Sequence, residues 1–151
     1  MRFIFFSLLL ICTAFATAQS SNSIYDQTLA DSLGADDYGM KMYVFVALTT
    51  GDVKITDPDS SKALMSGHLS NINRLVKEGK LIIGGPYGKN DLNFRGLFIF
   101  NSSDTIEVKQ LLQTDPAIAA GVFDTEIIPW YGSAALPTYL PNHAKIEKTG
   151  F

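Results

Sequence analysis

Two segments of the chain are apolar on both faces of a β-strand, and this feature constrains the fold most strongly. In residues 41–48, and again in 96–100, apolar residues do not alternate with polar ones. Successive side chains of a strand point to opposite faces, so a sheet with one solvated face shows such an alternation. One face of the first strand carries Tyr43, Phe45 and Ala47, and the other carries Val44, Val46 and Leu48. The sheet therefore needs cover on both faces.

The other elements follow in the order of a ferredoxin-like fold. From Leu64 to Val76, apolar residues recur at three- and four-residue spacing, which predicts an amphipathic helix. Asp57-Pro58 and Gly79 are typical of its start and its end. The remaining predicted elements are a strand at 81–83 with a glycine-proline loop at 84–88, the strand at 96–100, a helix after Asp104, a helical turn after Asp115-Pro116 and a strand at 122–130. The order β-α-β-β-α-β predicts an α+β fold with an antiparallel sheet and both helices on one face.

Because the helices cover only one face of the sheet, something else must cover the second. Pairing of two sheets in a twofold homodimer is the simplest arrangement, since such dimers are the commonest oligomers. The alternative is that the N-terminal arm or the C-terminal tail folds over that face. We divide the chain into a signal peptide at 1–18, an arm or linker at 19–40, one domain at 41–132 and an irregular tail at 133–151.

The first residues have the order of a secretory signal peptide. Arg2 precedes a nearly unbroken apolar run, and Ala16-Thr17-Ala18 is a small-x-small cleavage site followed by polar residues. We expect cleavage after Ala18 and export to the periplasm or the medium, with no membrane association afterwards. An uncleaved anchor is the alternative, but the apolar run is shorter than the roughly 20 residues that span a bilayer.

The charged and metal-binding residue types exclude several classes of function. The single cysteine, Cys12, lies in the apolar run, so the mature chain has no thiol for a disulfide, a nucleophile or a metal site. Lipid attachment at Cys12 is disfavoured because Ile11 is not small. The two histidines lie far apart without a carboxylate cluster, which argues against a metal site. The formal charge of −3 argues against nucleic acid as a partner.

Six short motifs follow one another in the predicted domain. They are His68-Leu69, Lys80-Leu81, Gly84-Gly85-Pro86, Arg95-Gly96, Asp115-Pro116 and Ala120-Gly121. This set, in this order, resembles the YciI-like (YCII-related) family over residues 43–130. The resemblance implies a dimeric α+β barrel and a cleft lined by a histidine and an aspartate, matched here by His68 and Asp115. It also implies chemistry without a cofactor, because some members resemble muconolactone isomerases and dehydrochlorinases that act on small ring compounds. The export signal, the arm and the tail depart from the family pattern.

His68 and Asp115 are the candidate catalytic residues. His68 lies three residues after Met65 and four before Ile72, on or beside the helix face turned to the sheet. An imidazole there can move a proton, or it can be a hydrogen-bonded core histidine; the resemblance favours the first reading. Asp115 before Pro116 has the pattern of a helix N-cap, and a capping carboxylate can still orient an imidazole with its other oxygen.

Four further residues are candidates for substrate binding. Arg95, at the start of a strand, can bind a substrate carboxylate or pair with an acidic surface residue. Gly85, Pro86 and Tyr87 can form the lip of a pocket, with Tyr87 as a hydroxyl donor, or a plain tight turn.

The sequence thus leaves two hypotheses for the function. The leading one is a cofactor-independent enzyme in which His68 acts as general base or acid and Asp115 orients it. Its reaction would be proton transfer, isomerisation or elimination on a small, cyclic, carboxylated compound. The alternative is a non-catalytic dimeric module that binds a small ligand or serves a structural role.

Overall fold

The structure of the protein is a computed structural model that describes residues 22–149. The predicted signal peptide at 1–18 lies outside these residues. In chain order the elements are α1 (Gln27–Leu33), β1 (Met40–Thr50), α2 (Pro58–Lys77), β2 (Leu81–Pro86), β3 (Phe94–Phe100), α3 (Thr105–Leu112), α4 (Pro116–Ala119), β4 (Phe123–Ser133), a 3₁₀ helix (Leu136–Tyr139) and α5 (Leu140–Ile146). Within residues 22–149, every helix is too short or too polar to cross a lipid bilayer.

The four strands form one antiparallel sheet in the order β2-β3-β1-β4. β1 is central, and its Phe45 lies opposite Ile99 of β3 and Ile128 of β4. α2 connects β1 to β2, and α3 and α4 connect β3 to β4. This is the β-α-β-β-α-β arrangement, so the predicted ferredoxin-like α+β fold is confirmed.

Each face of the sheet carries its own apolar cluster, as the two apolar faces of β1 predict. The helix-side cluster joins the sheet to α2, α3 and α4, and its buried residues include Val44, Val46, Leu48, Leu75, Phe98, Phe100, Val108, Leu112 and Ile118. The second cluster lies on the opposite face and contains Tyr43, Ile82 and Ile99. The three connecting helices therefore cover one face, and the second face depends on other contacts.

The caps of α2 lie where the sequence places them. Asp57 Oδ2 accepts a hydrogen bond from the backbone N–H of Ser60 at 2.8 Å, and Pro58 is the first residue of the helix. Gly79 follows the helix with a φ of 70°, the left-handed conformation that glycine adopts without strain. The buried residues of α2 share one side of the helix, and they are His68, Asn71 and Leu75. This side faces the sheet and brings His68 into the interior.

β2 extends further than the sequence predicts. The prediction of a loop at 84–88 is wrong for residues 84–86, which pair with residues 96–98 of β3. β2 is an edge strand, where proline is tolerated because no further strand needs its missing N–H. A Cβ on Gly84 would lie 3.3 Å from the ring of Phe98, so a small residue lets β2 lie beside that ring. Glycine and proline are local loop signals, and pairing with β3 overrides them here.

The segment at 19–40, predicted to be an arm or a linker, contains the helix α1. Asp26 Oδ1 caps it by accepting from the N–H of Leu29 at 3.0 Å, and Gly34 ends it with a φ of 68°. α1 buries none of its residues, and its seven residues are too few for a helical apolar period to be recognised in the sequence. Beyond α1, the Tyr131 hydroxyl donates to the Asp36 carboxylate, which raises the pKa of Tyr131 to about 12 and links the arm to β4.

The prediction of an irregular tail at 133–151 is wrong for residues 136–146, which form the 3₁₀ helix and α5. Leu136 packs against the second cluster, and the Tyr139 hydroxyl donates a hydrogen bond to the carbonyl of Ile82. The tail therefore covers part of the second sheet face, as the alternative to a partner chain requires. The cover is incomplete, because Ile128 and Trp130 of β4 remain 47% and 37% exposed.

Candidate functional site

A buried histidine–aspartate pair joins α2 to α4. His68 lies on the sheet-facing side of α2, and Asp115 is the N-cap residue of α4. His68 Nδ1 and Asp115 Oδ2 are 2.7 Å apart, and the two residues are only 7% and 1% exposed. Asp115 Oδ1 accepts hydrogen bonds from the backbone N–H groups of Ala117 at 2.9 Å and Ile118 at 3.3 Å. One carboxylate therefore caps a helix and contacts the imidazole at the same time.

The surroundings of Asp115 favour its ionised form. Burial by itself raises the pKa of a carboxyl group, but the hydrogen bond and charge of His68 and two backbone N–H groups outweigh it, so the pKa of Asp115 lies below its ordinary value. An ionised carboxylate only accepts hydrogen bonds, so Nδ1 carries the proton of the 2.7 Å contact. In the neutral imidazole, Nε2 is then the nitrogen without a proton.

A hydrogen-bond network beside the pair joins the same two segments. Thr114, the residue before Asp115, has its Oγ1 3.0 Å from Asn71 Oδ1 on α2. Arg74 Nη2 donates to each of these two oxygens at 2.8 Å. Asn71 follows His68 by three positions, so the network lies almost one helical turn further along the same side of α2. It holds the turn that carries Asp115 against the helix that carries the imidazole.

On the other side of the pair, Gly67 lies against Pro116. A Cβ on Gly67 would be 2.5 Å from Pro116 Cγ, far inside van der Waals contact. α2 and α4 therefore approach each other as closely as a glycine allows. Gly67 and Pro116 are the direct neighbours of His68 and Asp115, so this contact and the hydrogen-bond network bracket the pair.

His68 also forms part of the wall of a small cavity between α2 and the sheet. The cavity has a volume of about 280 Å³ and a mostly apolar lining. Its apolar side chains are Leu48, Met65, Leu69, Ile72, Phe98 and Phe123, besides Pro86. The ring centroids of Phe98 and Phe123 lie 6.1 and 5.3 Å from that of the imidazole. An apolar cavity of about 150 Å³ can hold benzene, so this one has room for a substituted single ring.

Three of the four predicted substrate-binding residues line this cavity with His68. They are Gly85 and Pro86 of β2 and Arg95 of β3. Arg95 Nε donates a hydrogen bond to Thr50 Oγ1 at 2.6 Å, which restricts the orientation of the guanidinium. Gly85 and Pro86 therefore belong to strand β2 and also border the cavity, as predicted for the lip of a pocket.

Tyr87 and Asp115 do not line the cavity. The ring of Tyr87 packs against Phe94 at a centroid distance of 5.7 Å, so the structure does not place the hydroxyl in the cavity as a donor. Asp115 lies on the Nδ1 side of the imidazole, where it contacts His68 and the backbone of α4. Asp115 would therefore affect a ligand in the cavity only by orienting and charging His68.

Sequence reasoning missed the residues that hold the pair in place, namely Gly67, Asn71 and Thr114. Asn71 and Thr114 are 43 positions apart, and a contact over that separation leaves no local pattern. Gly67 carries a usable signal, because a glycine inside a helix is less favourable than alanine by about 0.5–1 kcal/mol and usually has a packing reason.

The described residues offer no ready metal site. Within residues 22–149, no three side chains of His, Cys, Asp or Glu cluster in a way that could hold an ion. The titratable and charged groups in the cavity wall are an imidazole and a guanidinium, which suit proton transfer and the binding of an anion.

The fold and the site together define a class of protein, a ferredoxin-like α+β domain with a buried histidine–aspartate pair beside an apolar cavity. The family model of the YCII-related domain matches residues 42–131, which is more than half of the chain. The chain belongs to this family, and the resemblance carried by the sequence motifs is confirmed.

Among solved structures, the chain is similar to the 5-chloro-2-hydroxyhydroquinone dehydrochlorinase from Burkholderia phenoliruptrix AC1100, in complex with 2,5-dihydroxybenzoquinone. The two sequences are 22% identical, and the match covers 58% of this chain and 92% of that one with a TM-score of 0.41. No curated protein sequence matches the chain.

Proposed function

We propose that the protein is a small enzyme that works without a cofactor and moves a proton on a small, cyclic, carboxylated compound. The reaction is a simple proton transfer, an isomerisation or an elimination. The observation that carries the proposal is the 2.7 Å contact between His68 Nδ1 and the Asp115 carboxylate, with the same imidazole in the wall of an apolar cavity. A titratable group held by a charged partner in a small cavity is typical of a catalytic site.

Nε2 of His68 is the atom that exchanges a proton with the ligand in this proposal. Nδ1 is occupied by Asp115, so Nε2 is the nitrogen left for the cavity. As a general base it takes a proton from a carbon of the ligand, and the nearby carboxylate stabilises the imidazolium that forms. In an isomerisation the imidazolium returns the proton to another carbon. In an elimination the C–H electrons form a double bond, and the leaving group departs with the electrons of its own bond.

Arg95 supplies the group that binds an anion. Its guanidinium stands in the same cavity wall as His68, and its contact with Thr50 restricts its orientation. A ligand carboxylate on the guanidinium would place the ring of the ligand against the apolar wall. The lining is mostly apolar, so the charges of the site interact more strongly than they would in bulk solvent.

A non-catalytic ligand-binding module is the alternative, and one observation favours it. Asp115 caps α4, and both members of the pair are almost fully buried. Buried polar groups need hydrogen-bond partners in any protein, so the pair would also exist in a domain that performs no reaction. In that case a ligand would fill the cavity and no proton would move.

Deuterium exchange distinguishes the two functions. The mature protein is incubated in D₂O with cyclic keto acids that carry an exchangeable C–H, and incorporation is followed by proton NMR. The enzyme proposal predicts incorporation by the wild type and a rate lower by about 10²–10⁴-fold in His68→Gln. The matched control is His143→Gln, which alters the exposed histidine of α5 and should keep the wild-type rate. Binding of these compounds without any incorporation would favour the non-catalytic module.

We also propose that the exported protein acts as a homodimer through the second sheet face. Support comes from the apolar side chains that the tail leaves uncovered, above all Ile128 and Trp130, at 47% and 37% exposure. Phe45, Ile83 and Leu97 pack against the second cluster and are only partly buried, which continues the same surface. An apolar area of this kind on a sheet is typical of sheet-to-sheet association.

A further inference from the structure

A second cavity adjoins the one that contains His68, and the function proposed above does not use it. It has a volume of about 290 Å³ and lies between the chain after β1 and the first turns of α2. Met65, Arg95 and Phe123 line both cavities, so the two share a wall. A ligand whose ring fills the first cavity therefore has the second as its neighbouring space. We call this second cavity the basic groove.

The charged side chains that line the basic groove are both cationic, Lys54 and Arg95. Within residues 22–149, neither takes part in an ion pair, whereas Arg74 and Lys80 each have a carboxylate partner. Cations without a protein partner at the edge of a cavity are free to bind an anion. The other polar side chains of the lining, Thr50 and Ser61, are hydroxyl donors that can add hydrogen bonds to it.

Arg95 is oriented for such a role at the boundary of the two cavities. Its Nε donates to Thr50 Oγ1 at 2.6 Å, so one of the five N–H groups of the guanidinium is already used. Among the described residues, its terminal amino groups have no hydrogen-bond partner. These groups can bind a carboxylate through two parallel hydrogen bonds, which adds directional preference to charge attraction.

We propose that the basic groove binds an anionic side arm of the ligand whose ring lies beside His68. The substrate class is then a single-ring compound with a carboxylate on a short flexible arm, rather than a ring with the carboxylate attached directly. The ring occupies the apolar cavity, and the charge of the arm lies between Arg95 and Lys54. This assignment rests on the proposed function for the placement of the ring.

The test measures binding and does not depend on turnover. Isotope-labelled mature protein is titrated with 3-phenylpropionate, with its neutral analogue 3-phenylpropanol, and with benzoate, which lacks the arm. We expect 3-phenylpropionate to bind at least about tenfold more tightly than either of the others, because one charge-assisted hydrogen bond already predicts about that factor and the groove offers two cations. Backbone signals of Ser61 and Val122, which line the groove, should shift with 3-phenylpropionate and not with benzoate.

Substitutions of the two cations test whether the basic groove causes the preference for 3-phenylpropionate. Lys54→Gln and Arg95→Gln should each weaken binding of 3-phenylpropionate by about tenfold and leave binding of 3-phenylpropanol unchanged. Lys145→Gln is the matched control, because Lys145 is an exposed lysine of α5 that lines neither cavity. Equal affinities for the acid and the alcohol would overturn the proposal. So would an undiminished affinity in Lys54→Gln, or no binding of 3-phenylpropionate at millimolar concentration.

These outcomes are separate from those of the proton-transfer proposal. A preference for the side-arm carboxylate, with no deuterium incorporation into any ligand, would leave the groove in place and refute the catalytic role of His68. Incorporation into ring compounds without an arm, at a rate unchanged by Lys54→Gln, would support the role of His68 and refute the groove.

Discussion

Gly67 and Pro116 are in such close contact that a Cβ on Gly67 would be 2.5 Å from Pro116 Cγ. Each of the two is the sequence neighbour of one member of the buried pair, His68 and Asp115. The 2.7 Å contact between those side chains therefore depends on a position in α2 that has no side chain of its own.

The first prediction concerns that glycine. Where the added methyl group of a helical Gly→Ala substitution meets no other atoms, the substitution stabilises the folded protein by about 0.5–1 kcal/mol. At Gly67 the added methyl group overlaps Pro116, and overpacking of this kind typically costs about 1–3 kcal/mol. We expect Gly67→Ala to be less stable than the wild type in urea denaturation and to move α2 away from α4. Ser66→Ala, at the exposed neighbouring position, is the control and should be nearly neutral. If Gly67→Ala were as stable as the wild type, α2 and α4 would be further apart at Gly67 and Pro116 than the structure shows.

The second prediction concerns the pH dependence of stability. The pKa of Asp115 is depressed in the folded protein from an ordinary value of 3.8. A depressed carboxyl group contributes stability above its unfolded-state pKa, and that contribution is lost as the pH falls through the lower folded-state pKa. The free energy of unfolding should therefore decrease below about pH 4 more steeply in the wild type than in Asp115→Asn, which has no carboxyl group to protonate. If the free energy of unfolding fell equally with pH in both proteins, His68 and the N–H groups of α4 would not stabilise the ionised Asp115 carboxylate.

Much of the fold follows from local patterns in the sequence. The two apolar faces of β1, the apolar period of α2 and the Asp-Pro caps are set by neighbouring residues, and the structure has them where the sequence indicates. α1 has only seven residues, too few to show a helical apolar period, and none of them is buried. The tail helices form where Leu136 and Tyr139 meet the second sheet face, and residues 84–86 become a strand by pairing with β3. Those contacts are distant in sequence.

The candidate site was predictable only in part. The motif resemblance singled out His68 and Asp115, which lie 47 positions apart and form the observed contact. Arg95, Gly85 and Pro86 also lie in the cavity wall, whereas Tyr87 does not. The Asn71–Thr114 contact depends on how α2 packs against the turn before α4, and no property of either residue alone reveals it.

The third prediction concerns assembly. The mature protein should be a dimer by size-exclusion chromatography with light scattering. Ile128→Glu places a charge on the exposed part of the second sheet face and should yield a monomer, because an unpaired charge is costly to bury. Ile106→Glu, which alters an exposed isoleucine of α3 in the helix layer, should remain dimeric. A monomeric wild type would indicate that the tail suffices to cover the face.

The fourth prediction concerns the N-terminus of the mature chain. The order of Arg2, the apolar run and Ala16-Thr17-Ala18 predicts cleavage after Ala18. Intact-mass analysis of the exported fraction should therefore find a chain that begins at Gln19. Ala18→Leu, which removes the small residue before the cleavage point, should accumulate the uncleaved form. Recovery of the wild type in membranes with Met1 retained would contradict the prediction.

The most direct test of the account is the protonation of the two ring nitrogens of His68, measured by long-range ¹H–¹⁵N correlation NMR. The ionised Asp115 carboxylate can only accept, so the neutral imidazole should carry its proton on Nδ1 and leave Nε2 free for the ligand cavity. Asp115→Ala removes the acceptor and should lower the Nδ1-protonated population, while His143 in the same spectrum should not change. A wild-type spectrum with the proton on Nε2 would contradict the account, because Asp115 would not hold His68 and Nε2 would not be the base.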